Sequence, residues 1–222
     1  MTCSATNRRL LVNPPKGFTL KDASELQTRL KKLVRRRSYL PRKVELVAGL
    51  DSAYHDKLAF GAAVTVDLET MRPKEAATVR GEAVFPYVPG FLAFREAPII
   101  LAAATKLKSR PDVYLVDGQG YAHPRRFGLA CHVGVALNAP TVGVAKSRLF
   151  GTVSGTRLRD RGETIGAILR GRSGKRFYVS VGHKISLRDA VKIASRCFSA
   201  GSQDPISLAH IEAERMREAT AL

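Results

Sequence analysis

Two short apolar runs in this chain stop on an acid. Residues 44–50 (VELVAGL) run into Asp51, and residues 113–116 (VYLV) run into Asp117. Both read as buried strands, and a carboxylate where a buried strand ends needs a reason to be there. Residues 60–66 and 76–84 are further strands, separated by the turn Met71-Arg72-Pro73, so the first half of the chain predicts a three-stranded antiparallel meander. Upstream, Leu26, Leu30 and Leu33 recur at i, i+4 and i+7 behind a Thr19/Asp22 cap, which predicts a helix with one apolar stripe. Residues 85–91 (FPYVPGF) are aromatic and pinned by two prolines, and cannot form a helix or a central strand. Pro98 suits the first turn of a helix over 99–108, with Glu96 just ahead of it. Beyond Asp117 the pattern predicts a small-residue helix at 128–137 and a strand at 141–145. Two strands at 164–169 and 176–181 flank a basic tip at 170–175, and helices at 186–198 and 206–216 close the chain.

The order βββαβαβ places the first strand beside the fourth as a parallel neighbour through a right-handed crossover. Their carboxyl ends then share one sheet edge, with Asp51 and Asp117 roughly 5 Å apart at the backbone. Carboxylates that close repel unless a proton or cation lies between them, and oxygen-only ligands favour a hard ion such as Mg²⁺. Glu96 can reach the same edge. The competing reading is that each acid merely caps its loop.

Charge changes the picture further. The 222 residues are 45% hydrophobic, enough for one domain with a real core, yet the formal charge is +18 and the pI about 10.4. That excess points to a polyanion, nucleic acid first. Arg29, Lys31, Lys32, Arg35, Arg36, Arg37, Arg42 and Lys43 follow one another without an acid between Glu25 and Glu45, either a solvated face of the first helix or a phosphate contact. Cys3, Cys131 and Cys197 have no CxxC spacing, which speaks for free thiols, a reducing cytoplasm and no structural zinc. No run reaches the ~20 apolar residues of a membrane span, and no apolar signal core stands near the start, so a cytoplasmic protein is expected. Residues 1–18 read as an N-terminal arm and 19–222 as a single catalytic domain.

The segments VAGLDSAY (47–54), FPYVPGFLAFREAP (85–98), LVDGQGYAHPRRFGLACHVG (115–134) and PTVGVAKSRLFG (140–151) together resemble the endonuclease V family, in its order and spacing, from about residue 20 onward. The resemblance implies an α/β, ribonuclease H-like fold: a mixed sheet with three antiparallel strands followed by parallel ones, and helices on both faces. It implies metal binding by Asp51, Glu96 and Asp117, a catalytic Lys146 near the scissile phosphate, and a supporting role for His210, which the pattern alone reads as an ordinary helix histidine. It makes Pro86, Tyr87, Val88 and Pro89 a wedge that enters the strand where the base leaves. Gly90, Leu92, Gly118, His123 and Leu149 become the pocket for that base.

The implied activity is Mg²⁺-dependent hydrolysis, with Mn²⁺ as a substitute, at the second phosphodiester 3′ to deoxyinosine, leaving 3′-hydroxyl and 5′-phosphate ends for repair of deaminated adenine. Hypoxanthine differs from adenine at C6 and N1 and from guanine in lacking the 2-amino group, so a tight pocket with a few backbone donors and acceptors can select it. The expected partner is inosine-containing DNA, the expected state a monomer. Two other readings stay open: an inosine-specific endoribonuclease, and a non-catalytic basic nucleic-acid-binding protein. His183 is expected to be structural or to touch substrate rather than metal.

Overall fold

The computed structural model describes residues 14, 15, 17–171, 174–199 and 204–221. Most of the expected arm therefore lies outside the described residues, as does part of the 170–175 tip. Phe18 from that arm belongs to the core: its ring lies 5.4 Å from Phe94 and 6.3 Å from Phe85, centroid to centroid.

Among the described residues nine strands form one sheet: β1 (Leu46–His55), β2 (Leu58–Asp67), β3 (Pro73–Glu82), β4 (Val113–Asp117), β5 (Thr141–Ala145), β6 (Thr152–Ser154), β7 (Arg157–Asp160), β8 (Glu163–Arg170) and β9 (Arg176–His183), in the order β3-β2-β1-β4-β5-β9-β8-β7-β6. The first three are the expected antiparallel meander, and β1, β4 and β5 are parallel neighbours at the centre. Past β5 the sheet turns antiparallel again. The sequence reading missed β6 and β7, because runs of three and four residues are too short to show a pattern. A strand as short as β6 suits the sheet edge it occupies.

Helices cover both faces. On one lie α1 (Leu20–Leu30), α2 (Leu92–Lys106) and α3 (Leu129–Leu137), whose apolar residues pack on Leu50, Ala59, Ala63 and Val116. On the other lie α4 (Leu187–Phe198) and α5 (Pro205–Ala221), over Val47, Val113, Leu115, Val142 and Ala62. The alternation follows from the strand period: Leu50 and Val116 point one way, Val113 and Leu115 the other. β5 is buried throughout, as a central parallel strand covered on both faces must be. Capping explains three helix starts. Thr19 and Asp22 form a capping box on α1, Ser186 Oγ accepts from Asp189 N on α4, and the buried Asp204 accepts from Ser207 N, 2.9 Å, ahead of Pro205 in the first turn of α5.

Three expectations change. β1 does not stop at Asp51; it runs to His55, because the antiparallel ladder with β2 continues after the parallel ladder with β4 has ended at Leu50↔Val116. α2 starts at Leu92 rather than at 99, so Pro98 is inside it. An interior proline removes a hydrogen bond and costs about 3 kcal/mol. The burial of Phe94, Ala97, Ile99 and Ile100 along α2 offsets that cost. The first helix ends at Leu30, with a 3₁₀ turn at Lys31–Leu33 and extended backbone at Val34. Arg35, Arg36, Arg37, Arg42 and Lys43 are therefore not on a helix face. Leu33 and Val34 turn onto the core, and Arg35 N donates to His183 Nδ1, 3.3 Å, which anchors the segment against the end of β9.

Candidate active site

The sheet register brings the acids together. Asp51 and Asp117 each follow the last parallel rung, Leu50↔Val116, so they sit side by side where β1 and β4 part. Asp51 pairs with Ala62 across β2 and shares its face, the one covered by α5. His210 of α5 accordingly brings Nδ1 within 2.8 Å of Asp51 Oδ2. From the opposite face α2 delivers Glu96, and from the end of β5 Lys146 donates from Nζ to Asp117 Oδ2, 2.7 Å. Five elements thus bring Asp51, Glu96, Asp117, Lys146 and His210 to one end of the sheet.

Electrostatics in this corner are strained. Burial, and next the neighbouring Asp117, push the Asp51 carboxyl up to about 6. Burial, then Asp51 and Asp117, push Glu96 up to about 8. Partial burial works against the Lys146 ammonium, but Asp117, Asp51 and Asp204 outweigh it and raise its pKa. Among the described residues, no group of three or more His, Cys, Asp or Glu is set out as it stands to hold a metal ion. The donor set is nonetheless all oxygen, and its mutual repulsion is what a hard divalent cation relieves.

A cavity of about 420 Å³ opens beside the acids. Its wall includes Asp51, Glu96, Asp117, Lys146, Tyr87, Pro89 and every residue of the expected base pocket: Gly90, Leu92, Gly118, His123 and Leu149. Tyr87 is 71% exposed, and Pro86 and Pro89 beside it are also exposed, an unusual state for a large aromatic held in a stiff loop. Val88 is half-buried and its carbonyl accepts from Phe91 N, 2.9 Å, closing the turn behind the tyrosine.

His123 lines the cavity, but both its ring nitrogens are engaged by the protein. Nδ1 accepts from Arg125 N, 3.2 Å, which leaves the proton on Nε2 to donate to the Gly90 carbonyl, 3.0 Å. Burial, with Arg125 nearby, lowers its pKa to about 4, so the ring is neutral at neutral pH. His183, likewise lowered to about 4 by burial, is occupied by the Arg35 backbone and stands apart from the acids. The basic pair after Pro124 also turns inward. Arg126 pairs with Asp160, 2.5 Å, and with Glu163, 3.3 Å, while Glu163 also meets Arg36.

Two glutamines in the wall escaped the sequence reading. Gln119 donates from Nε2 to Ser147 O, 2.8 Å, joining the Asp117 loop to the Lys146 loop. Gln27, fully buried on α1, is bonded to three residues around the cavity. A glutamine next to a leucine stripe carries no signal of burial in the pattern, so neither was detectable from spacing.

Among the described residues no helix is long and apolar enough to cross a membrane, and Cys131 and Cys197 are buried free thiols. The sequence model of the endonuclease V family matches residues 28–211. The chain is 43% identical over 194 residues to endonuclease V of Trichormus variabilis, covering 82% of this chain and 88% of that one. It is similar to the crystal structure of endonuclease V from Streptomyces avermitilis, with a TM-score of 0.83 and 35% identity over 95% of this chain and 99% of the other. It is similar also to Ciona intestinalis endonuclease V in complex with a 24mer DNA containing an inosine followed by a ribo-adenosine, with a TM-score of 0.83 and 27% identity over 90% of this chain and 98% of that one.

Proposed function

The chain belongs to the endonuclease V family, and on that footing we propose that it is a divalent-metal-dependent endonuclease directed at deoxyinosine in DNA. It cuts the second phosphodiester 3′ to the lesion, leaves 3′-hydroxyl and 5′-phosphate ends, and serves the repair of deaminated adenine, with residues 19–222 acting as one catalytic domain. The observation that carries this reading is the adjacency of a cavity of about 420 Å³, an exposed aromatic loop and three carboxylates with a lysine among them.

In this reading the displaced base occupies the cavity behind Gly90, Leu92, Gly118, His123 and Leu149, while Tyr87 fills the gap it leaves in the stack. Asp51, Glu96 and Asp117 would hold Mg²⁺, or Mn²⁺ in its place, which when bound offsets charge on the phosphoryl oxygens and makes water a better nucleophile. Lys146 sets a second positive charge on the phosphate side of the site and stabilises the departing O3′. His210 holds the Asp51 carboxylate from the α5 side.

Matched oligonucleotides with one inosine, as DNA, as RNA and as DNA with a single ribonucleotide 3′ to inosine, each with Mg²⁺ and with chelator, test the assignment. Cutting of the DNA with Mg²⁺ alone is the expected result. The mixed oligonucleotide is included because the Ciona intestinalis complex contains an inosine followed by a ribo-adenosine, and preference for the RNA would move the function to an endoribonuclease. No cutting of any of the three overturns the enzyme reading and leaves a basic binding protein. For the wedge, Tyr87→Ala is expected to raise the Kd for inosine-containing DNA by about tenfold to a hundredfold, since base–aromatic stacking contributes about 1–3 kcal/mol. Titration calorimetry should find Mg²⁺ affinity unchanged. Wild-type DNA affinity would remove Tyr87 from the interface.

A further inference from the structure

The carbonyl of Gly90 takes three side-chain donors: Arg125 Nη2 at 2.7 Å, His123 Nε2 at 3.0 Å and Gln27 Nε2 at 3.2 Å. A carbonyl has two lone pairs, so this acceptor is oversubscribed. Gly90 has φ +80, a conformation other residues rarely adopt, and it forms the corner between the Tyr87 loop and the first turn of α2. The loop itself has little backbone bonding to stiffen it, and whatever fixes its corner must come from side chains.

Of these three donors, two from outside the loop also hold each other. Gln27 is fully buried on α1 and fully satisfied: Nε2 donates to Gly90 O and, at 3.1 Å, to Phe127 O, and Oε1 accepts from Arg125 Nε at 2.5 Å. Burying an amide on the Leu26–Leu30 stripe brings no packing gain over a leucine or methionine, and it is tolerated only because every polar atom is bonded. Arg125 completes the clamp, with its guanidinium 4.1 Å above the Phe91 ring while its Nη2 holds the preceding carbonyl. One arginine thus grips residues 90 and 91 together, and a glutamine from a separate helix grips the arginine.

We infer that Gln27 and Arg125 are positioning residues that set base selectivity, by holding the Gly90 wall of the cavity at one fixed place. The inference rests on the inosine reading above. Guanine differs from hypoxanthine by one exocyclic amino group, and a wall that yields by a few tenths of an ångström admits it. Steric discrimination of this size is worth about 10–200-fold and is lost when the wall can move. Neither residue needs to touch the base; they act through Gly90.

The test compares kcat/KM on oligonucleotides that differ only in carrying hypoxanthine, guanine or adenine at one position. The proteins are the wild type, Gln27→Met, which keeps the volume and loses the donors, and Arg125→Lys, which keeps the charge and loses the planar fork. The ratio of two substrates on one preparation does not depend on how much of it is folded, so a purely structural role leaves it unmoved. The hypoxanthine-to-guanine ratio is expected to fall by about tenfold in both variants, chiefly through better acceptance of guanine. A wild-type ratio in Arg125→Lys overturns the inference, even where Gln27→Met fails to fold. Equal losses on all three bases also overturn it, since the pair would then support the fold alone. A wild-type protein that does not prefer hypoxanthine overturns the inosine reading instead.

Discussion

Asp117→Ala is expected to reduce cleavage of inosine-containing DNA by at least about a thousandfold while the protein still binds it. The carboxylate stands at the end of β4 between Asp51 and Lys146, with a side chain 18% exposed. A divalent cation contributes several kcal/mol to a phosphoryl-transfer transition state, and each 1.36 kcal/mol is tenfold in rate. The base cavity and the Tyr87 loop are left in place by the substitution, so affinity for the lesion remains. Stability should change little. The variant loses a Lys146 ion pair whose lysine is 65% exposed, a contact worth no more than about 1 kcal/mol, and it also loses the repulsion that Asp117 exerts on Asp51 and Glu96. Single-turnover cleavage, a DNA-binding titration and a thermal melt on one preparation separate these effects. Turnover that survives within tenfold of wild type removes Asp117 from the chemistry.

The second large effect is expected at Gly49, two residues before Asp51 in β1 and not itself part of the cavity wall. A β-carbon there would lie 2.0 Å from the Pro205 carbonyl oxygen, 2.1 Å from its carbon and 2.6 Å from Ile206 N, all backbone atoms at the start of α5. Nothing flexible can give way, so β1 and α5 must separate. Overpacking costs typically 1–3 kcal/mol and occasionally more, and a clash with backbone belongs at the top of that range, about 3 kcal/mol. Gly49→Ala should therefore lower the denaturation midpoint. It should also depress cleavage in the fraction still folded, because the lifted helix carries His210 away from the Asp51 carboxylate it meets at 2.8 Å. Urea titration and active-site-normalised rates measure the two separately. A variant with wild-type stability would mean that α5 does not dock as closely as described.

The acids could be read from the chain because an apolar run ending on a carboxylate is a local pattern, and parallel pairing of β1 with β4 follows from general topology. Glu96 was expected at the right edge from the wrong position. Pro98 looks like a helix start, Phe91 offers no capping side chain, and only the burial of Phe94 and Ala97 shows that α2 begins about two turns earlier. Asp51 as a strand terminus was half right: one of its two ladders ends there and the other does not. His210 had no signal of its own, since its partner lies 159 residues away and only the docking of α5 on β1 joins them. Gln27 was invisible for a similar reason. A buried amide is recognisable only by what it bonds, and its partners at 90, 125 and 127 are on other elements.

That long separation between Asp51 and His210 also limits the harm a damaged copy of the protein can do. The groups that close the acid corner come from β1, α2, β4, β5 and α5, so a fragment must span residues 51–210 to contain them all. The net charge of +18, by contrast, belongs to the composition and survives unfolding. Under the proposed function, a partly unfolded copy would still be drawn to nucleic acid but would lack the juxtaposition needed to cut it, so misfolding would leave a passive ligand rather than an unregulated nuclease.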